Sequence, residues 1–204
     1  MDKGAFDSWA HDYDHILMEP PTDFPFEGYH DVLAFAQSRV KHPEKAAILD
    51  VGVGTGNLTH KLYERGARIY GLDVSQEMLD RAQTKMPGGE FFLGDMKDGV
   101  PLGERFDYIM SSYALHHLKK PEKLQLIAKL STSLKSDGVI ILADISFQTQ
   151  EDHHKARVEA GDRWDHEEDY LVSEDVLEDL AALGFNVHYT QVSRYAGVLE
   201  LKKR

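Results

Sequence analysis

The chain has 204 residues, with 35 acidic against 23 basic side chains and a formal net charge of −12. That size suits one domain with a well-buried core, and that charge opposes binding to nucleic acid through phosphate neutralisation. The absence of cysteine excludes a disulfide framework, thiolate metal sites and thiol catalysis. The opening MDKGAFDSWAHDYD is acidic where a secretory leader needs a basic end and an apolar stretch, and no apolar run is long enough to span a membrane, so the expected setting is the cytoplasm.

In chain order, Phe6, Trp9, Ala10, Tyr13, Ile16 and Leu17 fall on one face at helical spacing, and a second helix is expected over Tyr29 to Val40. The apolar runs AAILDVG (46–52), ARIYGLD (67–73), EFFLGD (90–95), FDYIMSS (106–112) and VIILADI (139–145) read as strands covered on both faces. Helices are predicted between them. One runs from Asn57 to Arg65 and stops at Gly66; one is capped by Ser75 and ends near Met86; one opens at Pro121 and ends at Gly138. Strand and helix thus alternate from about 46 to 146, the pattern of a sheet interleaved with helices.

Beyond this core, residues 147–172 are polar and acidic and read as a solvated cover over the ligand end, with Trp164 and Tyr170 as packing anchors or substrate contacts. Ser173 is placed to cap an amphipathic helix through Val176, Leu177, Leu180 and Leu183. FNVHYTQV (185–192) and AGVLELKK (196–203) read as an antiparallel hairpin. One domain results, divided into N-terminal cap helices (1–45), a core (46–146), an acidic cap segment (147–172) and a closing helix and hairpin (173–204).

The stretch LDVGVGTGN places Gly52, Gly54 and Gly56 directly after the first strand. A glycine turn between a parallel strand and a helix lets the backbone approach a ligand, and Asp73, ending the next strand, stands where an acid meets ribose hydroxyls in nucleotide-binding units. Alone, each feature also fits a tight turn or a helix-start charge. The dinucleotide fingerprint G-x-G-x-x-G has its third glycine one place later, where this chain carries Asn57. A nicotinamide-dependent oxidoreductase is therefore the weaker reading.

DVGVGTG with Asp73, the pair Gly94-Asp95 and the segment SSYALHHL together resemble the class I methyltransferases that use S-adenosylmethionine. WAHDYD, GNLTHKL and YGLDVSQEM are similar to segments of small bacterial members. The resemblance implies a doubly wound α/β fold: a mostly parallel seven-stranded, Rossmann-like sheet with a C-terminal antiparallel hairpin and a helical cap. It implies that Gly52, Val53 and Gly54 lie against the methionine part of the cofactor while Asp50 positions its ammonium group. Asp73 would accept from the ribose hydroxyls, Val74 would pack on adenine, Asp95 would accept from the adenine amino group beside Met96, and Ser111 or Ser112 would offer a carbonyl near the methionine end. A carboxylate facing vicinal hydroxyls suits ribose, and a sulfonium tolerates acidic surroundings better than a pyrophosphate does.

Methyl transfer is an in-line displacement in which positioning supplies much of the catalysis. His116 and His117, after the fourth strand, and Tyr13, with His11 on the first helix, are the candidates near the reacting methyl, each with an ordinary packing role as the alternative. His153 and His154 are adjacent and do not share a helical face, and no metal-ligand spacing stands out, so no metal site is expected. SSYA replaces the [DN]-P-P-[YFW] motif of enzymes that methylate nucleic acid bases, and no insertion is large enough for a protein-substrate domain. The expected partner is a small-molecule acceptor, not a nucleic acid or a membrane. Besides the oxidoreductase, a non-catalytic S-adenosylmethionine-binding regulator is the other alternative.

Overall fold

The computed structural model describes residues 22–99 and 103–204. The expected first helix, with Tyr13 and His11, lies outside the described residues. Helix α1 (Tyr29–Ser38) precedes an alternating series: β1 (Ala47–Val51), α2 (His60–Glu64), β2 (Arg68–Asp73), α3 (Gln76–Lys85), β3 (Glu90–Leu93), β4 (Phe106–Ser112), α4 (Lys120–Thr132) and β5 (Leu134–Phe147). Then come α5 (Gln150–Ala160), β6 (Leu171–Val172), α6 (Ser173–Ala182), β7 (Phe185–Gln191) and β8 (Ala196–Lys203).

The strands lie in the order β3-β2-β1-β4-β5-β8-β7, and the two-residue β6 pairs with the end of β5. Pairs among β1 to β5 are parallel, whereas β8 runs antiparallel to both β5 and β7. This is the doubly wound sheet with a C-terminal hairpin. Apolar side chains form a core on each face. Val32 and Ala36 of α1, Leu62 of α2 and Leu79 and Ala82 of α3 pack on one; Leu126, Ile127 and Leu130 of α4 and Val176 and Leu180 of α6 pack on the other. All five residues of β1 are buried, as a central strand between two helical layers requires.

Local chemistry sets the helix starts. The Ser75 hydroxyl accepts from the Met78 amide at 3.2 Å, and Glu122 accepts from the Lys119 amide at 2.8 Å with Pro121 in the first turn. These bonds satisfy amides that have no partner inside the helix.

Several expectations are corrected. Helix α4 ends at Thr132, and Gly138 is not its stop but a residue of β5. A side-chain carbon at Gly138 would stand 2.7 Å from the Leu134 side chain and 3.0 Å from the Phe106 carbonyl, so the glycine serves close packing within the sheet. Helix α2 begins only at His60. Ser173 is the first residue of α6 rather than its cap, and Val172 in the capping position makes no side-chain bond. The acidic cover contains α5, capped by Thr149, whose side chain accepts from the Asp152 amide. Only Ala156 and Ala160 of α5 are buried, too narrow an apolar stripe to read as periodicity. No helix among the described residues is long and apolar enough to cross a membrane.

Candidate active site

A cavity of about 490 Å³ opens at the carboxyl ends of β1, β2 and β4, where the strand order turns outward on either side of the β1–β4 pair, the usual ligand position in open α/β sheets. Its floor is the turn after β1. Gly52, Gly54 and Gly56 all have positive φ, at 72°, 53° and 85°, so the turn needs residues without a side-chain penalty in the left-handed region. Around Gly54 nothing lies within 4 Å of an added side-chain carbon. The turn thereby leaves a cradle.

Asp73, at the end of β2, anchors this turn. One carboxylate oxygen accepts from the Gly54 amide at 2.8 Å and the other from the Ser75 amide at 3.0 Å, so the acid fixes both the glycine turn and the start of α3. Lys85 of α3 donates to Thr55 at 3.0 Å and to Asn57 at 2.8 Å, tying down the other side of the loop. Val74 after β2, Met78 of α3, and Gly94 and Met96 after β3 complete this end.

The opposite end is built from the segment after β4 and the cap. Tyr113 has a left-handed φ of 47°, rare for a bulky residue, and packs with Tyr29 and Phe26 at ring distances of 5.0 and 5.8 Å. Its hydroxyl is buried with no hydrogen-bond partner among the described residues, and burial pushes its pKa well up. His116 is buried and its Nδ1 lies 2.6 Å from Asp144 of β5. Burial pulls the His116 pKa down, but the Asp144 charge and hydrogen bond, with Glu168, raise it overall. Burial likewise raises Asp144, but His116 and the amides of Ile145 and Leu115 bring it below its ordinary value. Glu168 is brought down to about 2: burial raises it, but a hydrogen bond with His117, the His116 charge and Tyr170 outweigh that.

The cap is held from beneath. Trp164 stacks on Phe24 at 5.2 Å and meets Tyr170 edge-on at 4.6 Å, both buried in the core on that face. The Lys123 ammonium, buried under the cap, binds the Asp169 carboxylate at 2.6 Å. Trp164 and Tyr170 are thus packing anchors, and Tyr170 also reaches Glu168.

Residues 48–138 match a family of methyltransferase domains. Over nearly the whole length, the chain is 35% identical to an uncharacterised methyltransferase of Geobacillus kaustophilus, covering 98% of this chain and 95% of the relative. The chain belongs to the class I S-adenosylmethionine-dependent methyltransferases. A second uncharacterised methyltransferase, from Bacillus cytotoxicus, is 34% identical, with 98% and 97% of the two chains covered. Among solved structures, magnesium protoporphyrin IX methyltransferase from Synechocystis shares the fold with a TM-score of 0.74 at 21% identity, covering 99% of this chain and 98% of that one. DesVI of Streptomyces venezuelae does so with a TM-score of 0.71 at 18% identity, covering 96% and 98%.

Of the residues expected in this methyltransferase's site, Gly52, Val53, Gly54, Asp73, Val74, Met96, Ser112, His116 and His117 line the cavity. Asp50, Asp95 and Ser111 are not among the described lining residues. Asp50 is fully buried and accepts from the Thr59 hydroxyl at 2.8 Å. Asp95 accepts from the Lys97 amide at 2.9 Å and so caps the short turn that carries Met96. The Ser111 hydroxyl donates to the Val51 carbonyl at 2.6 Å, because neighbouring residues of a strand point to opposite faces. His153 packs against Phe147 and Trp164 and belongs to no group of three metal-ligating side chains among the described residues. Sequence reasoning missed Tyr29, Tyr113, Asp144 and Glu168. Asp144 alone left a signal, as a carboxylate inside the apolar run VIILADI, which demands a buried partner.

Proposed function

We propose that this methyltransferase acts on a small-molecule acceptor that enters the end of the cavity walled by Tyr113, His116, His117 and Glu168. One observation carries the reading: a single cavity of about 490 Å³ runs from the glycine turn to these residues beneath the cap, a size in the range of roughly 300–1,000 Å³ usual for small ligands. The cradle at Gly54 and the carboxylate of Asp73 fit the donor. When bound, S-adenosylmethionine supplies a methyl on a sulfonium, and its carbon–sulfur bond breaks as the acceptor's lone pair forms the new bond, leaving S-adenosylhomocysteine.

The chain's residues position and enclose. Gly52, Val53 and Gly54 take the methionine part against bare backbone, Asp73 receives the ribose hydroxyls, and Val74 with Met96 flanks the adenine. Asp95 acts by fixing the turn that holds Met96, Ser111 by tying β4 to β1 just before Gly52, and Ser112 contributes at the cavity wall. Asp50 keeps one buried carboxyl oxygen without a partner among the described residues, which a cation bound before the turn would stabilise electrostatically. His116 and His117 face the acceptor; Tyr13 is a further candidate from the N-terminal segment. Asp73, Asp165 and Glu168 are acidic, and no Lys or Arg is among the described lining residues, so a neutral or cationic acceptor is favoured.

A fractionated cell extract supplied with methyl-labelled S-adenosylmethionine tests the reading. Protein-dependent label is expected in the low-molecular-weight fraction; label confined to protein or nucleic acid would overturn it.

A further inference from the structure

Three potential ligand atoms converge at the acceptor end. His116 Nε2 lies 3.5 Å and His117 Nδ1 lies 3.4 Å from the same Glu168 oxygen, and one ligand atom from each residue falls within 4.8 Å of the other two. Charge-assisted hydrogen bonds close to about 2.7–2.9 Å, as the His116–Asp144 contact of 2.6 Å does. Both histidine contacts to Glu168 are longer than that. Two donor atoms on one tetrahedral divalent ion, each at about 2.0–2.2 Å from it, stand about 3.3–3.6 Å apart. The two spacings to Glu168 fall in that range.

We propose that His116, His117 and Glu168 form a divalent-cation site of two imidazoles and one carboxylate, open to the cavity, whose remaining position takes a donor atom of the methyl acceptor. The surroundings are those of a built site. Asp144 holds His116 Nδ1 at 2.6 Å and leaves Nε2 on the Glu168 side, the outer-sphere arrangement that orients metal-binding histidines. Asp144 is itself fixed by the amides of Leu115 and Ile145, each at 2.8 Å. Glu168 is held from both sides. Lys119 donates to the Glu167 carbonyl at 2.6 Å, Lys123 binds the Asp169 carboxylate at 2.6 Å, and the Asp169 amide donates to the His116 carbonyl at 2.9 Å. The last bond fastens the cap directly to the histidine segment.

Nitrogen and oxygen ligands without sulfur suit zinc or another first-row divalent ion. An acceptor hydroxyl, thiol or amine on the open position would release its proton to water more readily, leaving the lone pair to attack the methyl carbon. The acceptor assignment rests on the proposed function, whereas the cation site is tested without it. The full-length protein, stripped with a chelator, is titrated with Co²⁺ and followed by visible absorption, with Zn²⁺ as competitor. One equivalent of Co²⁺ with a tetrahedral spectrum, displaced by Zn²⁺ and lost in both Glu168→Gln and His117→Ala, is expected. No stoichiometric binding, or equal binding by either variant, would overturn the site. Unfolding midpoints of the metal-free variants identify a misfolded one, and the other then decides. Binding of S-adenosylhomocysteine, measured separately, reports on the proposed function: Co²⁺ binding without it would leave the cation site standing and remove the methyltransferase reading of the cavity.

Discussion

Asp50 carries a cost that the fold accepts beside the glycine turn. Burial pushes its carboxyl up to about 7, with the Thr59 hydrogen bond opposing and the Asp73 charge adding to the rise. Its folded-state pKa thus exceeds the ordinary value of 3.8, so between those two values the folded state holds a proton that the unfolded chain has lost. Stability from this group therefore falls as pH rises through that window and stays low above it. Asp50→Asn removes the ionisable group while leaving an acceptor for Thr59. In urea unfolding of the ligand-free protein, the variant should gain on the wild type by about 2 kcal/mol between pH 5.5 and pH 8. Parallel pH profiles would show that Asp50 is not titrating in this range.

The turn between β1 and α2 divides its glycines by task. A side-chain carbon at Gly52 would stand 2.6 Å from that of Ala114, whereas at Gly54 it meets nothing within 4 Å. Both substitutions to Ala incur left-handed strain of about 1–2 kcal/mol, but only Gly52→Ala also forces backbone apart, since Ala114 has no rotamer to yield. Gly52→Ala should lose more stability in urea unfolding, while Gly54→Ala should stay folded and lose S-adenosylhomocysteine affinity by calorimetry. The reverse order would contradict the cradle. At this scale the sequence was most legible in β1, β2 and β4, where continuous apolar runs reflect cover on both faces. It was least legible where tertiary contacts decide: Leu134 enters β5 because Phe106 pairs with it, and α5 hides its helical character behind a two-alanine face. Glycine and Asp73 positions were readable because backbone conformation and strand ends leave local marks. The joining of His116 to Asp144 and of both histidines to Glu168 was not, because it depends on how β5 and the cap return to the fourth strand.

In the whole molecule, the parallel strands bring the glycine turn, Asp73, Met96 and Ser112 to one end of the sheet, and α1 with the 161–170 segment closes over them. Phe24, Trp164 and Tyr170 join the cap to the same core that supports the cavity, so ligand binding and global stability are expected to be linked. Thermal unfolding of the protein alone, with S-adenosylhomocysteine and with NAD, for the wild type and Asp73→Ala, tests this most directly. At about 100 times its dissociation constant, a ligand adds roughly 2.7 kcal/mol and should raise the midpoint by about 5–10 °C. The wild type should respond to S-adenosylhomocysteine and not to NAD, and Asp73→Ala should fold yet lose most of the shift at the same concentration. A response to NAD alone, or an undiminished shift in Asp73→Ala, would contradict the assignment of this cavity.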